Sequence, residues 1–179
     1  MKTKKESKTK TPQLEVVNDI FMVEKNSRRL VSLKPDIKEA PENMVIPEGI
    51  EIIGSDIFVS KNKFQCSNIK SVKFPDSLKK IENNAFFRCT NLTDIQFGNG
   101  LEYIGKIAFA SCRGLEKIVL PDSLRVIESQ AFMDCSKLKN VVFNEGLQVI
   151  EWSAFYICKN LNEFVLPKSL RVVGDEALK

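Results

Sequence analysis

The chain has 179 residues, 43% of them apolar and 28% charged, with five cysteines, one tryptophan and no histidine. This is the composition of a core-forming protein of one domain, and the missing histidine removes the commonest general base and the commonest metal ligand. Five of the 27 basic and one of the 23 acidic side chains fall in residues 1–11, so the +4 formal charge sits there. The remaining 22 of each sign offer no basic field to a nucleic-acid backbone.

Residues 1–13 combine high charge with little apolar surface and read as a disordered Lys-rich tail. No run of 18 apolar residues follows, and no apolar h-region with a small-residue cleavage site, so neither membrane insertion nor an export signal is expected.

From residue 66 onward the sequence repeats. Cys66, Cys89, Cys112, Cys135 and Cys158 are each 23 residues apart. Counted from each cysteine, the third residue is Ile69, Leu92, Leu115, Leu138 or Leu161, and the sixth is Val72, Ile95, Ile118, Val141 or Phe164. The eighth is Phe74, Phe97, Leu120, Phe143 or Leu166, so the last two alternate as on one face of a short strand. A turn residue follows (Pro75, Gly98, Pro121, Asn144, Pro167), then a Leu ladder from Leu78 to Leu170 and an Ile ladder from Ile81 to Val173. Each unit closes on a small-plus-large pair: Ala85-Phe86, Ala108-Phe109, Ala131-Phe132, Ala154-Phe155 and Ala177-Leu178.

A partial unit precedes these at Met44-Val45-Ile46-Pro47, Ile50, Ile53 and Ile57-Phe58. Phe58 stands eight residues before Cys66, whereas Phe86 stands three before Cys89, which places a five-residue insertion within 59–65. The PDSL turns at 75 and 121 and PKSL at 167 alternate with PEGI, GNGL and NEGL, a weaker 46-residue period. No 23-residue unit can bury its own apolar face, so the units must stack into a solenoid.

The pattern L-x-x-I-x-L-P-x-S-L-x-x-I-x-x-x-A-F-x-x-C resembles the BspA-like subclass of leucine-rich repeat proteins. The resemblance implies a strand-rich α/β repeat solenoid: a right-handed array of five to six repeats over 44–179, with one parallel sheet and short turn or helical segments. It implies that 14–43, with Ile20-Phe21-Met22-Val23 and Leu30-Val31-Ser32-Leu33 around a polar turn, form a hairpin-like cap. It also implies a binding role, with adhesion at a cell surface or outside the cell as the best-known use, and it carries no catalytic residues across.

The residues themselves point to no enzyme, cofactor or metal. None of the cysteines lies in C-x-x-C, and ligands 23 residues apart would form a line where zinc needs a tetrahedron, so all five read as buried free thiols. Gly98-Asn99-Gly100 is followed by Tyr103 where a dinucleotide fingerprint needs glycine, and without histidine no Ser-His-Asp triad can form.

What remains is surface for a protein or peptide partner. The outward strand positions read Lys117, Asn140, Glu163 and then Val119, Val142, Val165, an apolar strip with polar neighbours. A second candidate surface combines Trp152, Tyr156, Met133 and Tyr103, residue types favoured in binding hot spots. The alternative reading is a structural role in which the array self-associates or continues into further repeats. Lys179 falls two residues before the next cysteine is due, so a Val173, Ala177 and Leu178 surface is expected to be covered by a second chain or further repeats.

Overall fold

The computed structural model describes residues 12–38, 40–60, 63–64 and 66–179. Residues 1–11 of the Lys-rich tail lie outside the described residues.

The chain opens on an antiparallel meander of β1 (Leu14–Val17), β2 (Phe21–Glu24) and β3 (Arg29–Leu33), with a register shift between Met22 and Val23. Phe21, Val23, Leu30 and Leu33 are buried on one face, following the period of two that a half-buried strand requires. β3 then pairs in parallel with β5 (Ile52–Ile53), the first strand of the Ile ladder, so the meander caps the stack by extending its sheet.

Beyond it the chain winds in coils. Along the Ile ladder, β5, β9 (Lys80–Ile81), β11 (Tyr103–Ile104), β13 (Val126–Ile127), β15 (Val149–Ile150) and β17 (Val172–Val173) pair in parallel. With the meander they make one nine-stranded sheet. Where the repeat pattern points to one parallel sheet, the structure has two parallel faces. The Ile ladder forms the continuous one, and the face opened by L-x-x-I-x-L is divided. There β4 (Asn43–Val45), β8 (Ser71–Lys73) and β10 (Asp94–Gln96) form one three-stranded sheet. β12 (Lys117–Val119), β14 (Asn140–Val142) and β16 (Glu163–Val165) form another. The insertion carries β6 (Val59–Ser60) paired antiparallel with β7 (Lys63–Phe64).

The third side contains no helix among the described residues, in contrast to the helical segments implied by the resemblance. Two left-handed residues per coil prevent one: Asn84, Ile107, Gln130, Ser153 and Glu176 at one position, and Arg88, Ser111, Asp134 and Ile157 at another. The backbone there hydrogen-bonds between coils, as from Asn84 N to Lys106 O (3.0 Å), Phe86 N to Ala108 O (2.7 Å) and Arg88 N to Ala110 O (2.9 Å). This aligns the Phe ladder inside. Phe86, Phe109, Phe132 and Phe155 stack at 5.1–5.3 Å with nearly parallel rings, and all are fully buried.

The cysteines line the same core, and all five are buried. The expectation of five free thiols is corrected: Cys66 and Cys89 form a disulfide, their Cα atoms 5.1 Å apart. Stacking brings residues 23 apart within one strand spacing, which is also the Cα separation a disulfide spans. Cys112, Cys135 and Cys158 remain thiols and donate to the carbonyls of Phe86 (3.2 Å), Phe109 (3.3 Å) and Phe132 (3.2 Å). Burial pushes the Cys112 and Cys135 thiols up from their ordinary value, which suppresses the reactive thiolate. Thiol titration is expected to find little reaction in the native state, three thiols after unfolding and five after reduction. Five thiols in the unfolded, unreduced protein would contradict the bridge.

A polar cluster ties the cap to the coils. The Glu82 carboxylate accepts hydrogen bonds from Arg29 Nη2 (2.6 Å) and Nε (3.1 Å), from Ser55 N (3.1 Å) and from Ser55 Oγ (3.3 Å). Burial by itself raises the Glu82 carboxyl, but the Arg29 guanidinium and the Ser55 donors outweigh it and hold it below its ordinary value. A carboxylate lowered in the folded state contributes stability that is complete above its unfolded pKa and lost as pH falls through the folded value. Thermal melts are therefore expected to decline on acidification below about pH 4.5, and Glu82→Gln to flatten that decline while costing about 1.5–3 kcal/mol at neutral pH. Equal declines in both proteins would remove Glu82 from the account.

Candidate functional site

Parallel pairing in register sets the outward residues of β12, β14 and β16 side by side. Val119 faces Val142 and Val142 faces Val165; Lys117, Asn140 and Glu163 align in the same way. The middle residues Ile118 and Val141 turn inward and are buried, so the valines on either side of the pleat must point out. Val119 is 48% exposed, Val142 37% and Val165 82%. At strand spacings of about 4.8 Å the strip is roughly 10 Å long.

A shallow depression of about 410 Å3 lies at the β14–β16 end of the strip, lined by Val142, Val165, Asn140, Asn162, Phe143 and Phe164. Phe164 extends the apolar surface. The repeat assigns it to the core, yet it is 37% exposed on the outer strand β16, with its ring edge-on to Phe143 at 6.4 Å. It is the one aromatic at a position otherwise held by Val72, Ile95, Ile118 and Val141, which sets it apart without showing that it is exposed. Leu166, at 39% exposure, adds to the same end.

The second candidate surface is only partly assembled. Met133 and Tyr156 are adjacent ladder equivalents on the turn side, half-buried, and Trp152 lies on the same turn as Tyr156 with 46% of its surface exposed. Tyr103 belongs elsewhere. It sits on the nine-stranded sheet, with Lys80 Nζ 4.6 Å from its ring centroid, and its burial and hydrogen bond to Glu128 raise its hydroxyl pKa. Of the expected Val173, Ala177 and Leu178 surface, only Val173 is exposed, at 49%; Ala177 is 2% exposed and Leu178 half-buried. Ala177 is covered because its backbone is held in the third-side ladder, accepting from Phe155 N at 2.8 Å.

Another feature of this face has no counterpart in the repeat pattern. Every other pair of neighbouring coils on it is joined by backbone hydrogen bonds, such as Phe74 N to Gln96 O (2.8 Å) and Leu120 N to Val142 O (3.0 Å). Among the described residues none joins β10 to β12. A cleft of about 590 Å3 opens between the two strands, rimmed by Asp94, Glu116, Lys117 and Asp122. At Gly98 a Cβ would overlap the Pro75 carbonyl, so the 89–111 coil lies close against the coil before it.

Among the described residues no group of histidine, cysteine or carboxylate side chains could hold a metal ion, and no helix is long and apolar enough to cross a membrane.

The sequence profile of the BspA type leucine-rich repeat region matches residues 58–179 in six copies. The chain belongs to this family. Among solved structures, this BspA-type array superposes on a leucine rich cell surface protein from Faecalibacterium prausnitzii with a TM-score of 0.72. Identity is 26%, over 84% of this chain and 38% of that one. The pneumococcal vaccine antigen PcpA matches with a TM-score of 0.67 and 26% identity over 93% of this chain and 47% of its own. A leucine rich repeat protein of T. pallidum shares the fold at 24% identity and a TM-score of 0.58, over 95% of this chain and 86% of that one. The chain thus spans less than half the length of the first two. No curated protein sequence matches it.

Proposed function

We propose that this BspA-type array is a non-catalytic protein-binding module of the adhesin or surface-interaction kind, acting at a cell surface or outside the cell. The observation that carries the reading is the in-register Val119, Val142 and Val165 strip, an exposed apolar row on a rigid sheet with polar residues beside it. A shallow strip of this kind suits a peptide or protein surface, since a small molecule needs a concave pocket that encloses most of its area. Its likeness to a cell surface protein and to a vaccine antigen supports the setting.

Val142→Glu is expected to leave the fold intact, because Val142 points outward, and to weaken partner binding by about 1–3 kcal/mol. Titration of the partner against wild type and variant, with circular dichroism to check the fold, makes the test. Unchanged affinity moves the site to the Trp152 and Tyr156 side, and loss of the fold would place Val142 in the core.

A second reading, stacking on a further copy or on further repeats, is favoured by exposed Phe164, Val172 and Val173 on the outermost coil. Sedimentation at increasing concentration distinguishes the two: association that Val173→Asp abolishes supports stacking, and a concentration-independent monomer excludes self-association.

A further inference from the structure

The strip runs across β12, β14 and β16, and the cleft beside β12 divides the same face. Ile95 is buried but at 7%, where its equivalents Val72 and Ile118 are at 1%, which marks how far the gap reaches toward the core. Extending the pairing pattern of the other coils, the groups left unjoined are the N–H of Ile95 and Phe97 and the C=O of Thr93 and Ile95 on one side. On the other are the N–H and C=O of Lys117 and Val119. Two strand edges, each with donors and acceptors at parallel-sheet spacing, thus face one another across a solvent-open gap. Their Cα atoms still approach within 8 Å, whereas a strand between them requires about twice the 4.8 Å spacing. The coils therefore need to part by a few ångströms on this face alone, hinging about the nine-stranded sheet and the third side, where Phe109 N to Ala131 O (2.7 Å) and Ser111 N to Met133 O (2.7 Å) hold the same two coils.

We propose that this cleft takes up an extended, basic peptide segment as an added parallel strand, joining the two three-stranded sheets into one of seven. Main-chain hydrogen bonds to both edges supply the affinity, as in other strand additions. Alternation decides which side chains fit: apolar residues turn inward over Ile95 and Phe97, and basic ones turn outward to a rim where Asp94 and Asp122 outnumber Lys117, Glu116 being paired with Lys139 at 3.1 Å. The inference deepens the protein-binding reading by naming the form in which a partner engages this face.

The probe is a blocked synthetic peptide of about eight residues alternating lysine and valine, with a glutamate–valine peptide and a proline-interrupted lysine peptide as controls. Amide hydrogen exchange is followed by NMR in the full chain. In the free protein, the amides of Ile95, Phe97, Lys117 and Val119 are expected to exchange about 100-fold faster than those of Val72, Phe74, Asn140 and Val142, which are held in the ladder. The lysine peptide is expected to slow all four by tenfold or more, on both sides of the cleft, while the controls do not. Asp94→Lys is expected to weaken its binding about tenfold. The inference is overturned if the four amides are already as protected as their equivalents, if only one edge gains protection, or if the glutamate or proline peptide protects equally. Failure here leaves the strip untouched, because the strip is tested with a protein partner and Val142→Glu and the cleft with a synthetic peptide and its own amides.

Discussion

Phe109→Ala is expected to cost about 3–5 kcal/mol, a large share of the 5–15 kcal/mol that holds a domain folded. Phe109 is fully buried, stacked between Phe86 at 5.1 Å and Phe132 at 5.3 Å, with Phe97 edge-on at 6.0 Å. The neighbouring coils cannot collapse into the vacated space, because the cross-coil hydrogen bonds from Phe86 N and Phe109 N keep them in register. In a stack each coil contacts only its neighbours, so a weak coil in the middle also divides the array into two units. Urea titration followed by Trp152 fluorescence, which reports the C-terminal coils, and by circular dichroism, which reports all of them, is expected to give transitions that coincide in wild type and separate in the variant. A shift under about 1 kcal/mol with coincident transitions would mean that the Phe ladder does not couple the coils.

Gly98→Ala is expected to destabilise by about 1–3 kcal/mol, the usual cost of forcing extra volume into a filled site. The sign is informative. Glycine-to-alanine at a compatible backbone position normally stabilises by about 0.4–1 kcal/mol, because it restricts the unfolded chain. Here the new Cβ would overlap the Pro75 carbonyl, and backbone cannot yield as the end of a side chain can. The equivalent residue of the 135–157 coil is Asn144, whose Nδ2 donates to the Leu120 carbonyl, so that coil reaches its predecessor through a side chain. Thermal denaturation, at about 2–4 °C per kcal/mol for a chain of this size, measures the effect. A raised melting temperature would show that the coils have slack at this turn.

The coil was legible because stacking imposes one length on every repeat, and five cysteines at a constant interval make that length visible. Inward and outward strand positions follow from the pleat, so the repeat alone makes Val119, Val142 and Val165 neighbours. Four features were not legible. The disulfide between Cys66 and Cys89 is one choice among equivalent adjacent pairs, and a repeat makes such pairs look alike. The break between β10 and β12 has no residue in the repeat pattern that marks it. The ladder position of Phe164 points inward, but β16 is the last strand of this face, so among the described residues no coil covers the far side of its ring. Tyr103 was grouped with Trp152 by residue type alone; placing it required knowing that its position in the coil faces the nine-stranded sheet.

The claim that the Val119, Val142 and Val165 strip binds a protein is tested most directly by quantitative capture. Wild type, Val142→Glu and Trp152→Ala are immobilised in parallel, exposed to the same host-cell or matrix extract, and the bound proteins compared by mass spectrometry. The account predicts a protein retained by wild type and Trp152→Ala and depleted about tenfold or more by Val142→Glu, with all three baits equally folded. A protein retained by Val142→Glu as by wild type but lost with Trp152→Ala would contradict it and move binding to the turn side of the solenoid.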